Sequence, residues 1–373
     1  MASFLMNRLL IRKETDLSLP MPRPEILDLI RKGVVIPATP LALTEDRKHD
    51  ERRQRALYRY YMAAGSGGVA VAVHSTQFEI REPQHSLFKP VLEIGAEELV
   101  NSPFNGGRPV VKIAGVCGKT AQAVAEAELA ASLGYDAGLL SLAALKDETI
   151  DEMIDHCQEV SKIIPIIGFY LQPAVGGRVL PYSFWRRFAE IENVVAIKMA
   201  PFNRYQTFDV VRAVADAGRE DAITLYTGND DNIIADLISP YVIQTAAGEK
   251  TLRIKGGLLG QFCVWTKRAV EMLEEIHQIV EAGSGASNEW LRKNIELTDA
   301  NAVVFDAANG FAGCIPGIHE ILRRQGLLAN VHCLNPHEVL SPGQAEELTR
   351  VQKSYPWMQD DDFVRENLES WLR

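Results

Sequence analysis

The chain has 373 residues, 47 % of them apolar and 24 % charged, with a formal net charge of −10. That balance supplies a large core, and its acidic surplus excludes nucleic acid or an anionic membrane as the main partner, because both need a basic face. No stretch approaches the ~20 apolar residues of a membrane span, and the five scattered cysteines show no CxxC spacing, so neither a zinc ribbon nor a disulfide framework is expected.

The first ten residues are interrupted by Asn7 and Arg8, which breaks the continuous apolar stretch of a secretory signal. The expectation is a cytoplasmic protein with free thiols. Residues 1–25 read as an extra arm. From there, short apolar runs alternate with longer helical segments, the pattern of βα units on a parallel sheet. Strands are expected at 33–39, 68–74, 109–114, 137–141, 165–170, 194–199, 222–228 and 251–259. The unbroken Gly-Val-Ala-Val-Ala-Val of 68–73 suits a strand buried on both faces. Helices are expected at 52–64, 119–133, 149–163, 182–191 and 204–217, the first two closing at Gly65 and Gly134.

Eight such strands close into a barrel or form an open doubly wound sheet. No GxGxxG follows the first strand, which removes the usual support for a dinucleotide-binding open sheet, so the expected fold is a (β/α)8 TIM barrel over 26–265. Residues 266–373 read as a C-terminal helical lobe. Ala269, Met272, Leu273, Ile276 and Val280 form an apolar stripe in it, and further helices are expected at 288–295, 315–324, 342–353 and 362–372.

In such barrels the chemistry sits at the C-terminal ends of the strands. Strand six delivers Val-Val-Ala-Ile and then Lys198. Burial lowers a lysine pKa, and the neutral amine is the nucleophile that attacks a ketone; a rim lysine snorkelling to solvent is the plainer alternative. Tyr170 ends strand five, 28 positions earlier, about one βα repeat. A phenol in the same mouth shuttles protons during Schiff-base formation. Strand two ends at His74, Ser75 and Thr76, whose hydroxyls and N–H groups suit a carboxylate. Thr39 closes strand one. Asp230 and Asp231, after strand seven, read as helix capping or as metal ligands, although no third ligand clusters with them. The Val-Ala-Ile-Lys string also occurs in protein kinases, but HRD and DFG are missing here.

These residues resemble the dihydrodipicolinate synthase / N-acetylneuraminate lyase family of class I aldolases. The resemblance rests on Ala38-Thr39-Pro40, Gly65 through Thr76, Ile113-Ala114-Gly115, Phe169-Tyr170, Ile197-Lys198, Gly228-Asn229-Asp230 and Gly256-Gly257. It implies an imine between Lys198 and a 2-oxo acid, typically pyruvate, with an aldehyde as the partner in aldol chemistry. It further implies Tyr170 as proton relay, Ser75 and Thr76 as the carboxylate-binding pair, no cofactor, no metal, and a homo-oligomer, tetramer or dimer. Thr39, His74 and Gly257 are expected to complete the substrate-binding wall.

The chain also departs from that pattern. The loop after strand four reads Ser-Leu-Ala-Ala-Leu over 141–145, where the synthase carries a tyrosine pair. Val175 stands where the synthase has an arginine for the second substrate's carboxylate, with Arg178 nearby. His74 replaces a glycine. The function expected is therefore a Schiff-base lyase, aldolase or hydro-lyase, rather than the lysine-biosynthetic reaction. The apolar surroundings of His74, Ala143, Ala144 and Phe169 allow an aromatic or otherwise uncharged partner aldehyde. The alternatives are a ligand-binding member that has lost the chemistry and a barrel using Asp230 and Asp231 on a metal.

Overall fold

Nine strands are present in the computed structural model, which describes residues 18–373. They are β1 (Val35–Pro37), β2 (Gly68–Val71), β3 (Val111–Val116), β4 (Ala137–Leu140), β5 (Ile166–Tyr170), β6 (Val194–Met199), β7 (Thr224–Thr227), β8 (Pro240–Thr245) and β9 (Gly248–Leu259). Eight of them pair in parallel in the order β1-β9-β7-β6-β5-β4-β3-β2. A bridge from Ala38 to Ala70 joins the two ends of that order, and the Thr39 N–H donates to the Ala70 carbonyl over 2.9 Å. The sheet is thus a nearly closed TIM barrel. Every residue of β1 to β7 is buried, as helices on the outside and packed side chains within require.

The helices are α1 (Pro24–Lys32), α2 (Glu51–Ala64), α3 (Phe88–Asn101), α4 (Thr120–Ser132), α5 (Ile150–Ser161), α6 (Tyr182–Phe188), α7 (Arg204–Asp216) and α8 (Ile233–Ile238), followed by α9 (Thr266–Ala282), α10 (Asn288–Val304), α11 (Cys314–Arg324), α12 (Gln344–Ser354) and α13 (Asp361–Trp371). Pro24 opens α1, where its missing N–H costs nothing. Thr149 and Glu152 cap α5 reciprocally. Gly65 ends α2 in the left-handed conformation at φ 96°.

All eight expected barrel strands are present, with shifted ends. Four further elements were not legible, the first being α1. The helix α3 carries apolar residues without a clean stripe, α8 is only six residues long, and β8 forms an antiparallel hairpin with β9. The expected arm over 1–25 lies outside the described residues for 1–17, and its last two residues already belong to α1. No helix among the described residues is long and apolar enough to cross a membrane.

Candidate active site

At the C-terminal mouth of the barrel lies a cavity of about 70 Å³, room for several water molecules, since one needs ~10–15 Å³. Its floor comes from strand ends: Ala38 after β1, Val73, His74 and Ser75 after β2, Phe169 on β5, Lys198 on β6, and Gly228 and Asp230 after β7. Leu171, Gln172 and Val175 form one side. The roof is Phe202 from the loop after β6, together with Phe305, Phe311, Cys314 and Ile318 from the segment spanning α10 and α11.

Lys198 is 7 % exposed, and its Nζ lies 4.4 Å from the centroid of the Phe169 ring. No acceptor among the described residues lies within hydrogen-bonding distance of it. Burial pushes its pKa well below the ordinary lysine value, with Asp230 pulling the other way. Its approach depends on Gly228, where a Cβ would stand 2.7 Å from Lys198 Cε. Asp230 is buried as well, and burial raises its pKa against the opposing pull of Lys198. Its Oδ1 accepts the Gln261 N–H over 3.3 Å, and its backbone carbonyl accepts the Asn301 amide. Both groups are driven toward their neutral forms, an amine beside a carboxylic acid.

The loop bearing Asp230 is held from behind by buried polar side chains. Asn229 Oδ1 accepts the Phe202 N–H over 3.1 Å, and its amide donates to Thr207 Oγ1 and Asp236 Oδ2. Asp236 also accepts the Thr227 hydroxyl over 2.7 Å and pairs with Arg204. With every member partnered, such a network is rigid.

Of the residues expected in the site, Lys198, His74 and Ser75 line the cavity, whereas Tyr170, Thr76, Thr39 and Gly257 do not. The expectation that Tyr170 shares the mouth with Lys198 is corrected. Its ring packs 5.4 Å from Trp185 of α6 on the barrel exterior, and its hydroxyl accepts the Leu180 N–H over 3.1 Å. Phe169 takes the inward position. The cause is an irregularity in the β5–β6 ladder: Ile166 pairs with Val194 but Ile167 with Ala196, so Phe169 and not Tyr170 stands level with Lys198. A one-residue slip exchanges the faces of a strand.

Strand two likewise ends earlier than expected, at Val71. Ala72 then adopts φ 59°, and His74–Thr76 form a single 3-10 turn. The Ser75 hydroxyl donates to the Ala38 carbonyl. Thr76 Oγ1 donates to the Thr39 carbonyl over 2.6 Å and accepts the Val73 N–H over 3.1 Å. Thr76 therefore braces the turn, and its hydroxyl has no capacity left to donate to a ligand. His74 is neutral at physiological pH, because burial and the Lys198 charge lower its pKa to about 4. The Thr39 hydroxyl is buried without a partner. Gly257 is a packing glycine, since a Cβ there would stand 2.5 Å from Phe262; Gly260 reaches the cavity instead. Arg178 donates to the carbonyls of Leu145 and Glu148 and does not reach the cavity. Ala143 and Ala144 also lie outside it. Among the described residues no cluster of three or more His, Cys, Asp or Glu is placed to hold a metal ion.

Sequence reasoning missed Asp230 as a partner of Lys198 and missed the entire roof. Phe202 carried a weak signal, standing four positions after the lysine. Nothing marked Phe305, Phe311 or Ile318.

The fold and the site define the protein as a TIM barrel with a buried lysine amine at its C-terminal mouth. Residues 33–354 match the model of the Dihydrodipicolinate synthetase family, and the chain belongs to that family. It is 28 % identical over 117 residues to the 4-hydroxy-tetrahydrodipicolinate synthase of Thermoanaerobacter pseudethanolicus, a match spanning 31 % of this chain and 38 % of that relative. A dihydrodipicolinate synthase from Acinetobacter baumannii, solved in complex with pyruvate, superposes with a TM-score of 0.69 at 17 % identity, covering 87 % of this chain and 99 % of that one. An N-acetylneuraminate lyase from Fusobacterium nucleatum gives 0.66 at 18 %, again covering 87 % and 99 %. At these identities the two structures speak to the fold.

Proposed function

We propose that the protein is a lyase that forms a Schiff base between Lys198 and the keto carbon of pyruvate or another 2-oxo acid. The observation that carries this reading is the Lys198 amine, buried and without an ion pair at the cavity floor beside Asp230. Desolvation holds a useful fraction of it neutral, and the neutral amine attacks the ketone. Family membership supports the same chemistry.

With Tyr170 turned away, Asp230 is the proton carrier. As an acid it protonates the carbinolamine oxygen, which leaves as water and gives the imine. As a carboxylate it takes the proton from the carbon or oxygen that reacts next. The pocket face of the His74–Thr76 turn receives the substrate carboxylate, with an N–H of the neutral His74 ring as its side-chain donor, since the Ser75 hydroxyl already donates to the Ala38 carbonyl. Thr39, Thr76, Tyr170 and Gly257 act from behind by holding these groups in place. We further read the protein as cytoplasmic, consistent with its five unpaired cysteines. A homo-oligomer fits the exposed apolar residues Tyr205, Phe208 and Val242. A non-catalytic binding member of the family is the second reading, favoured by the displaced phenol.

Incubation with pyruvate and sodium borohydride, followed by peptide mapping, tests the proposal. A reduced adduct on Lys198 is expected. Absence of an adduct with pyruvate and with larger 2-oxo acids would leave the binding-protein reading standing.

A further inference from the structure

The half of the cavity facing Lys198 is apolar in a way the floor does not require. Phe202, Phe305, Phe311 and Ile318 close over it, and the Phe202 and Phe311 rings meet edge to face at 5.6 Å. Both phenylalanines sit at positive φ, 51° and 70°, a conformation that costs any residue with a side chain and persists only where the surroundings enforce it. Those surroundings are specific. Phe202 N–H is held by Asn229. The Phe311 loop is tied by Asp306, whose Oδ2 accepts the Gly313 N–H over 2.9 Å and the Ser341 hydroxyl over 2.6 Å. Gln344 adds donations to the carbonyls of Val303 and Gly313, each over 3.0 Å. Two aromatic rings are thus fixed in the wall of the cavity that holds the amine.

Charge narrows the occupant. Among the described residues Lys198 is the only Lys or Arg lining the cavity, and as the protonated imine its charge stands beside the substrate's own 1-carboxylate. Arg178 is spent on loop carbonyls. A second carboxylate on the substrate would therefore be buried unpaired, near Asp230, at a cost that excludes tight binding. Under the roof a polyhydroxyl chain would meet ring faces and aliphatic carbon, with Gln172 at one side as its hydrogen-bonding side chain.

We propose that the substrate is a 2-oxo acid bearing an uncharged aromatic group beyond the bond that is made or broken, so that pyruvate's partner is an aromatic aldehyde seated under Phe202, Phe305 and Phe311. This rests on the Schiff-base reading above. In the cleavage direction the C4 hydroxyl gives its proton to the Asp230 carboxylate. The C3–C4 bond breaks, its electron pair forming the C2–C3 double bond of the enamine while the C=N pair moves onto the protonated imine nitrogen, and C4 leaves as the aldehyde. Asp230 returns the proton to C3, and water hydrolyses the imine to pyruvate and free amine. No oxidant, reductant or further reactant is needed.

The test runs in the condensation direction with pyruvate and three aldehydes: benzaldehyde, succinic semialdehyde and glyceraldehyde. Benzaldehyde is expected to react with a kcat/KM at least ~100-fold above the other two, the discrimination expected when one competitor buries an unpaired charge and the other unpaired hydroxyls. Phe311→Ala should raise the KM for benzaldehyde by roughly 10–100-fold. Phe311→Arg should reverse the preference toward succinic semialdehyde. Trapping on Lys198 combined with equal or better use of either polar aldehyde, or with no use of benzaldehyde, overturns this inference alone. Failure of trapping overturns the Schiff-base reading together with it.

Discussion

The floor and the roof of the cavity are built by different means. The floor is made of strand ends, where each side chain is placed by a ladder of hydrogen bonds and a two-residue alternation. The roof is made of loop and helix residues more than 100 positions downstream of Lys198, together with Phe202, and is placed by side-chain braces such as Asp306, Gln344 and Asn229. On the proposed reading the floor carries what the chemistry needs in every substrate, an amine and a proton carrier. The roof is free to set which substrate is admitted.

The sharpest way to break this division is at the amine. Lys198→Ala should reduce turnover to background and abolish the borohydride adduct, measured by mass spectrometry; retained activity would end the Schiff-base account of the floor. Next in size is Asp230→Asn, expected to lower kcat by ~10²–10⁴-fold, as loss of an acid/base group does. Its pH profile separates proton transfer from packing. Removing the carboxylate removes the charge that favours ammonium, so the pKa of Lys198 falls further and the acid limb of the rate profile moves to lower pH. An unmoved limb would separate Asp230 from Lys198.

The roof lobe makes a prediction of its own in stability. His319 of α11 is fully buried, and burial lowers its pKa to about 4 from 6.5. The unfolded chain thus binds the extra proton first as the medium is acidified, and stability is lost as pH falls from 6.5 to 4. At 1.36 kcal/mol per unit this is on the order of 3 kcal/mol. Urea unfolding of His319→Gln across that interval should show a shallower loss than the natural chain, and an identical slope would remove His319 from the acid response.

The smallest effect is expected where the family resemblance alone expects a large one. Tyr170→Phe removes the acceptor of the Leu180 N–H, which costs ~1 kcal/mol of stability, and should change kcat by less than about tenfold, below the range for an acid/base group. A fall of 10²-fold or more, the size of a lost proton relay, would return Tyr170 to the reacting atoms and restore the register assumed from the sequence.

Much of this was legible residue by residue. Uninterrupted apolar runs such as those of β2 and β6 can only be strands buried on both faces, and eight of them separated by helical segments leave few topologies. Lys198 was conspicuous because a charged residue ending such a run must snorkel to solvent, be paired or be functional. Other parts were ambiguous in principle. Thr76 and Ser75 suited a carboxylate, but whether a hydroxyl faces a ligand or a neighbouring carbonyl depends on where the Thr39 carbonyl falls. Asp230 was seen beside Asp231 in sequence, whereas its partner in space is a lysine on the adjacent strand. Arg178 was close enough in number to serve the substrate, and the carbonyls of Leu145 and Glu148 claimed it first.

By itself, the sequence determined the barrel and the lysine at its mouth, because hydrophobic periodicity and strand order are local properties of the chain. Tertiary structure alone decided that Phe169 and not Tyr170 faces that lysine, since one irregularity between Ile166 and Ile167 exchanges the two faces of the strand. It also decided the roof, because residues 305–318 meet the cavity through helix packing, and no periodicity within a segment records what that segment will cover.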